Sequence, residues 1–420
     1  MNYFFIIILT ALILEFVLHL VANLLNLKAL KFELPPALEG VYKPEDYRNS
    51  QEYTRVNTRF DIIESAFMLV VLLAFWFAGG FNYFDQIVRG WGFPPLVNGL
   101  LYIGILLLAY SLLGLPFSIY STFIIEERFG FNRTTRCTFL LDHIKGLSLA
   151  VLLGGSLLAG ILALFEYAGL YAWLYCWAAV TIFFLVMQLV APTWIMPLFN
   201  KFTPMEPGEL KEAILNYAAS VNFPVKNVFV MDGSKRSSKS NAFFTGFGRN
   251  KRIALFDTLI EKHTVPELVA VLAHETGHYK KKHILQGMVI SILHAGLVLF
   301  LLSLFVGSPG LYQAFYMEQQ SIYSGLLFFG LLYTPIELLL SMVMQKVSRK
   351  NEYQADRYAA ETITEPGSLI EALKKLSASN LSNLSPHPFY VFLNYSHPTL
   401  LERVRAIQQC EAHRGSKSDK

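Results

Sequence analysis

The chain has 420 residues, of which 54% are hydrophobic and only 16% are charged. A soluble domain carries about one quarter charged residues, so this composition excludes an ordinary soluble fold and indicates a membrane protein. The net charge is only +4, and no basic patch is interleaved with aromatic side chains, which argues against nucleic acid as a partner. The three cysteines are far apart and odd in number, so they suggest neither a disulfide framework nor a cysteine-type zinc site.

Seven apolar segments are each about 20 residues long or more, enough for a helix to cross the ~30 Å hydrocarbon layer. Helices are expected because each one satisfies its own backbone hydrogen bonds in lipid. The first segment lacks a basic region and an obvious cleavage site, so we interpret it as a retained span and not as a signal peptide. The predicted spans are 3–23, 62–84, 98–120, 147–168, 171–195, 284–306 and 323–345.

The content of lysine and arginine alternates between high and low from one loop to the next. The segments after the first, third, fifth and seventh spans are rich in them, whereas the segments between have one or none. The positive-inside rule therefore predicts an N-terminus outside and both long polar segments in the cytosol. The predicted organisation is transmembrane helices 1–5 in 1–195, a first cytosolic segment in 196–283, transmembrane helices 6–7 in 284–346, and a second cytosolic segment in 347–420.

The first cytosolic segment has the pattern of a small mixed domain. The stretch EPGELKEAILNYAASV (206–221) predicts an amphipathic helix. KNVFVM (226–231) and RIALF (252–256) predict short strands, because β-branched and aromatic residues stand there between turn signals. SNAFFTGF (240–247) is a candidate third strand, with a hairpin turn at 248–250.

The stretch TVPELVAVLAHETGHYKKKH (264–283) predicts a helix, with Thr264 and Glu267 forming a capping box at its start. Inside it His274 and His278 are four residues apart and share one face, so both imidazoles can reach one metal ion, with Glu275 beside them. The alternative is a surface helix with incidental histidines. A glycine between the two histidines costs about 1 kcal/mol in a helix and indicates close packing there, which favours the metal site.

A third ligand is available in SRKNEYQADRYAAE, which follows the last span and predicts a helix continuing out of the membrane. Glu352 and Asp356 are four apart on one face, where two carboxylates repel each other unless a cation lies nearby. We predict that Glu352 is the third ligand and that Asp356 orients a ligand histidine, leaving an open position for water. An ordinary polar helix is the alternative.

With these motifs, the chain resembles the membrane-embedded zinc metalloproteases of the CAAX prenyl protease type 1 family. The resemblance implies a mainly α-helical polytopic fold, in which seven transmembrane helices form a chamber and a zincin-like α+β domain closes it. It also implies one Zn²⁺ per chain, held by His274, His278 and Glu352, with Glu275 as the catalytic base. Besides HETGH, it rests on segments in the family's order: IEERFGFNRTT (125–135), PLFNKFTPMEPGELKEAI (197–214), DGSKRSSKSNAFFTGFGRNKRIALFDTL (232–259), SRKNEYQAD (348–356) and YSHPTLLERV (395–404).

Further roles follow from the same resemblance. It puts His397, in a proline-restricted turn, near the metal, and we assign this residue to stabilise the oxyanion; a locally hydrogen-bonded turn histidine is the alternative. Arg403 is expected to brace the same region. Asn241 and Ala242 match positions that lie against the peptide, on the edge of a strand that could pair with it; a plain core strand is the alternative there.

Several other polar residues need separate interpretation. Burying an ionisable side chain in lipid costs free energy. We therefore expect Glu15 and His19 in the first span and Glu337 in the last either to line the chamber or to pair between helices. His283 is five residues beyond His278, about 140° away on a continuous helix, and we exclude it as a ligand.

The hypothesis is therefore a membrane-embedded zinc metalloendopeptidase. Its substrates are expected to be prenylated C-terminal CAAX motifs or, in a bacterial member, membrane proteins under quality control. The alternative is a helical transporter or channel with a structural zinc site, against which an open zinc position and a catalytic glutamate argue. The chain is compact for this family and lacks a dilysine pair near its C-terminus, so we expect a bacterial inner membrane in preference to the endoplasmic reticulum.

Overall fold

The structure is a computed structural model, which describes residues 2–31, 33–34, 43–245, 251–365 and 367–418. Within those residues seven helices are long and apolar enough to span a membrane, so the predicted number of spans is confirmed. These candidate spans are Tyr3–Ala29, Pro44–Phe77, Pro95–Glu126, Arg136–Tyr167, Gly169–Phe199, His283–Phe305 and Ile322–Thr362.

Several spans are interrupted by short π-helical or 3₁₀ turns, so the α-helices are more numerous than the spans. In chain order the helices are α1 (Tyr3–Ala29), α2 (Pro44–Phe77), α3 (Gly80–Gly90), α4 (Pro95–Tyr120), α5 (Arg136–Leu149), α6 (Gly155–Tyr167), α7 (Ala172–Val190), α8 (Met196–Phe199), α9 (Glu209–Ser220), α10 (Asp257–Ile260), α11 (Val265–Lys280), α12 (His283–Phe305), α13 (Pro309–Gln313), α14 (Ile322–Thr362), α15 (Gly367–Ser379), α16 (Pro388–Asn394) and α17 (Leu400–Ser418).

The second span differs from its prediction, which placed it at 62–84. Helix α2 begins at Pro44 and ends at Phe77, so the span starts and stops earlier in the sequence. The chain turns at Gly79, whose φ of 71° is in the left-handed region that glycine adopts without a steric penalty. The short helix α3 follows this turn and carries the rest of the apolar stretch.

The membrane helices are packed loosely along most of their length. In the most apolar window of each span, only 6% to 17% of the residues are buried inside the protein. A tight cluster holds α1, α2 and α14 together at one end, where Phe315 stacks on Phe328 at 3.9 Å and on Trp76 at 4.6 Å. Most side chains in these windows therefore lie outside the apolar clusters of the protein.

The polar segment after the fifth span contains a four-stranded sheet in the order β1–β2–β4–β3. The three predicted strands are confirmed, and β1, which contains a proline, is an addition. Strand β3 is antiparallel to β4 and lies at the edge of the sheet. The predicted turn at 248–250 lies outside the described residues. The strands are β1 (Phe202–Pro204), β2 (Val225–Met231), β3 (Ala242–Thr245) and β4 (Lys251–Phe256).

Helix α14 joins the membrane to this polar domain. Its 41 residues run without a break from the last span into the second polar segment, as the sequence predicted for the helix after that span. Beyond the membrane it packs on α11, and residues of both helices enter one apolar core with α9, α15 and α17. The two polar segments, far apart in the sequence, therefore form a single domain around α11 and α14.

Candidate active site

Helix α11 begins as its sequence predicts. Thr264 is the N-cap, and the reciprocal bonds of a capping box join it to Glu267. Glu267 is buried and also pairs with Lys375 of α15 at 2.7 Å. Burial opposes ionisation of this carboxyl, but the hydrogen bonds from Lys375 and from the Thr264 backbone hold the pKa of Glu267 below its usual value.

Three predicted ligands converge where α11 meets α14. The Nε2 atoms of His274 and His278 are 3.1 Å apart. The carboxylate of Glu352 faces both, with 3.4 Å from Oε2 to His274 Nε2 and 3.3 Å from Oε1 to His278 Nε2. Within the described part of the chain these three residues are the group of histidine, cysteine and acidic side chains placed to hold a metal ion.

Close approach of the two helices makes this convergence possible. A Cβ added to Gly277 would lie 2.9 Å from the Cα and 3.0 Å from the carbonyl oxygen of Ala355. Both are backbone atoms, which cannot rotate away. Glycine therefore brings α11 directly against α14 beside His278, as the sequence pattern predicted.

Asp356 fixes the ring of His274 from behind. Its Oδ1 lies 2.8 Å from His274 Nδ1, so this nitrogen carries a proton and Nε2 is left to face Glu352. Burial by itself would lower the pKa of His274, but the carboxylates of Asp356 and Glu352 raise it to about 9. Arg403 holds Asp356 in turn through two bonds, 2.8 Å from Nε and 2.6 Å from Nη2.

His283 has a role that the sequence analysis did not foresee. It is not among the grouped ligands, but its Nδ1 lies 3.1 Å from Nδ1 of His278, and its Nε2 lies 2.9 Å from Oε1 of Gln354. The amide oxygen only accepts, so Nε2 of His283 donates to it and Nδ1 accepts from His278. The Nε2 of His278 is thereby left without a proton, facing Glu352.

The exclusion of His283 as a ligand agrees with the group described above, but the continuous helix on which it was based is not present. Helix α11 ends at Lys280, and Lys282 adopts a φ of 61°, so the chain turns before α12 begins at His283. The two histidines are therefore not on one continuous helix. The clustered lysines at 280–282 were the available signal of this break.

The donor atoms fit a metal ion. Both imidazoles present Nε2 to the same point while their other nitrogens are held by Asp356 and His283. Glu352 is buried, and its Oε2 has no hydrogen-bond donor in the described structure. A bound cation would displace the proton that the raised pKa of His274 otherwise keeps on its ring, and two imidazole nitrogens with a carboxylate are the groups that a divalent cation completes.

Other predicted site residues surround the same point. A cavity of about 600 Å³ is lined by Glu275, His397, Asn241 and Ala242 together with the three grouped residues. His397 Nε2 lies 3.4 Å from Glu352 Oε1, and its Nδ1 shares a 2.9 Å hydrogen bond with Ser396. Asn241 and Ala242 stand at the start of the edge strand β3.

The intramembrane charges have different surroundings. Glu337 in α14 lies 3.2 Å from His294 in α12, so a pair between helices is present there, with the Glu337 side chain 55% exposed. Tyr333 also contacts His294, at 3.0 Å. Glu15 and His19 lie one turn apart on α1 and are both half-buried.

Family models match nearly the whole chain. Residues 23–201 match the N-terminal region of CAAX prenyl proteases, described as five membrane helices, and residues 204–411 match peptidase family M48. The boundary between the two matches falls just after the fifth span. The transporter hypothesis is not favoured, because the matched family is one of peptidases.

Named relatives cover the same length. CAAX prenyl protease 1 of Saccharomyces cerevisiae is 37% identical, over 89% of this chain and 88% of that protein. The CAAX prenyl protease 1 homolog of Arabidopsis thaliana is 38% identical, over 92% and 93% respectively.

A solved structure has the same fold. The crystal structure of S. mikatae Ste24p superposes with a TM-score of 0.92 at 34% sequence identity, covering 97% of this chain and 99% of that one. The expected fold class and enzyme class are confirmed by these matches. The chain is a multi-pass membrane metalloprotease that acts on peptides or proteins, and it belongs to the CAAX prenyl protease type 1 family of M48 peptidases.

Proposed function

We propose that the metal is zinc and that His274, His278 and Glu352 hold it. The observation that carries the proposal is the convergence of two imidazole Nε2 atoms and one carboxylate within 4.8 Å of one another. Two nitrogens and one oxygen, with a cavity on the remaining side, are typical of catalytic zinc sites, whereas structural sites have four protein ligands.

Bound there, zinc would polarise the scissile carbonyl and acidify a water molecule. Glu275 lines the cavity next to the ligands and acts as the base: it accepts a proton from the attacking water and delivers it to the leaving amine. His397 donates from Nε2 to the oxyanion that develops on the carbonyl. Asp356, Arg403 and His283 hold the two ligand imidazoles in orientation.

We infer that the substrate lies extended against β3. An edge strand has unpaired backbone groups, which can hydrogen-bond to a peptide regardless of its sequence. Asn241 and Ala242 lead into this strand and line the cavity, and the small side chain of Ala242 permits close approach of the peptide backbone.

The substrate class is proposed from the cavity and the relatives together. On the membrane side the cavity is lined by apolar residues of α12 and α14, among them Ile284, Ile290, Met344 and Val347. These surfaces suit an apolar or lipid-modified segment, and the relatives are named for the CAAX motif. Prenylated C-termini are the first candidate, and membrane proteins under quality control are the second.

The orientation is proposed from charge. The loops rich in lysine and arginine contact the catalytic domain, at Asn132 with Ser237 and at Asn26 with Asn383, which supports a cytosolic active site and an N-terminus outside. A bacterial inner membrane in preference to the endoplasmic reticulum stays a prediction.

The experiment uses detergent-purified protein with farnesylated and unmodified peptides of one sequence. We expect Glu275→Gln to retain one zinc per chain and to lose at least about 1,000-fold in kcat, since it removes the base but leaves the ligands. Equal cleavage of both peptides would reject prenyl recognition while leaving the protease intact. Full activity of Glu275→Gln would overturn the assigned chemistry.

A further inference from the structure

His397 is held by its backbone and not by packing. Its side chain is 62% exposed, and among the bonds described its ring has only Ser396 and Glu352 as polar neighbours. An exposed ring has little to fix it laterally, so its distance from the metal ligands depends on where residues 395–398 run. Pro398 limits the backbone of His397 and is itself buried, so the C-terminal side of this turn is fixed by packing.

Helix α14 fixes the N-terminal side of the same turn. Helix α16 ends at Asn394, two residues before Ser396, and the carbonyl of Val391 accepts from the N–H of the C-cap residue Tyr395. Carbonyls after this point need donors from outside the helix. Arg349 Nη1 donates to the carbonyl of Tyr395 and, at 3.3 Å, to that of Val391. Gln345 Nε2 donates to the carbonyl of Leu393 at 2.7 Å.

These two donors share a helix face with the proposed third ligand. Gln345, Arg349 and Glu352 are spaced by four and three residues, which places them in one stripe along α14. The same rigid element therefore holds the carboxylate that faces the metal site and the loop that presents His397. The distance between Glu352 and His397 therefore depends on the bonds from α14 as well as on the packing of Pro398.

We infer that Arg349 is a positioning residue for the reaction, acting through the backbone of Tyr395 to set the place of His397. The inference rests on the proposed function of His397 as the oxyanion donor. Arg349 does not line the active-site cavity. The effect of Arg349 on turnover is therefore indirect, and it disappears when the imidazole ring of His397 is removed.

A double-mutant cycle tests this dependence. The variants are Arg349→Met, His397→Ala and both together, with Arg349→Lys as the conservative change. Lys350→Met is the matched control, because Lys350 is the next residue, carries the same charge and is exposed. Zinc content, kcat and KM are measured for each purified protein.

We expect His397→Ala to lower kcat by about 100-fold, the usual effect of losing one oxyanion donor. Arg349→Met should lower kcat by about tenfold, since misplacement by a fraction of an ångström is less costly than removal, with KM and zinc content unchanged. Added to His397→Ala, it should cost nothing more. Arg349→Lys should recover part of the loss, and Lys350→Met should match the wild type.

Each failure has its own signature. Full activity of His397→Ala would reject the oxyanion role in the proposed function, and this inference with it. A low activity of His397→Ala beside full activity of Arg349→Met would overturn the inference alone. A tenfold loss that persists in the double variant, or zinc loss in Arg349→Met, would also overturn it. If Arg349→Met does not fold, Gln345→Leu takes its place in the same cycle, with a smaller expected loss.

Discussion

Replacing Gly277 by alanine tests how the metal centre is assembled. The added Cβ would lie 2.9 Å and 3.0 Å from backbone atoms of Ala355 and 3.2 Å from Cβ of Tyr358. Carbon atoms rest at about 3.5–4.0 Å, so α11 and α14 must separate by roughly 0.5–1 Å. The same displacement moves His278 away from Glu352, because these residues neighbour the contact on either helix.

Two opposing effects decide the magnitude. Alanine favours the helix by about 1 kcal/mol over glycine, whereas overpacking costs about 1–3 kcal/mol. Because the two closest contacts are with backbone atoms of Ala355, which cannot rotate away, we take the upper part of that range and expect a net loss of about 1–2 kcal/mol. Metal affinity should fall as well, by about tenfold or more, since the ligand atoms no longer converge.

Thermal unfolding in detergent, with and without chelator, measures the first effect, and competition with a chromophoric chelator measures the second. Gly104→Ala in α4 is the matched control, because a Cβ there meets nothing within 4 Å. It should leave stability equal or higher. If Gly277→Ala stabilises the protein as much as Gly104→Ala does and binds metal normally, the close-approach argument is wrong.

Three further outcomes are expected. Asp356→Asn should weaken zinc binding about 10- to 100-fold by releasing His274 and removing the charge closest to Arg403, whereas Glu361→Gln, an exposed position on the same helix, should leave zinc affinity unchanged. Equal zinc affinities of the two variants would contradict this. The folded pKa of Glu267 is lowered, so its contribution to stability is complete above the unfolded value of about 4.3 and is lost as the pH falls towards the folded pKa. Lys375→Met should therefore cost more at pH 7 than at pH 4 in thermal unfolding, and a pH-independent difference would refute the pairing. Chelation should abolish peptide cleavage and lower the unfolding temperature, both restored by zinc; cleavage that persists without metal would refute the proposed mechanism.

Local patterns predicted much of the site. The capping box, the one-turn spacing of the histidines and the glycine between them depend on residues within a single helix, and all three have the expected geometry in the structure. Glu352 and Asp356 were recognisable for the same reason, as a one-turn pair of carboxylates. The seven spans followed from apolar length alone.

Contacts between segments far apart in the sequence could not be predicted. Nothing near Arg349 in the sequence indicates that its partners are carbonyls at the end of α16. The pairing of Arg236 with Asp142, which ties the loop before β3 to α5, spans 94 residues and was equally hidden. Such contacts depend on which elements pack together, and a single sequence predicts the elements but not their packing partners.

Because α14 is continuous, the position of Glu352 is coupled to the tilt of the last membrane span. A rise of 1.5 Å per residue puts Glu352 roughly 27 Å along the rod from the middle of its apolar stretch. Pivoting the helix by about three degrees would move that carboxylate by about 1.4 Å, several times the roughly 0.2 Å within which metal–ligand distances are held. Helices answer a thinner or thicker bilayer by changing tilt. The turnover rate should therefore depend on lipid chain length, because the spanning helix and the proposed ligand Glu352 belong to the same continuous helix.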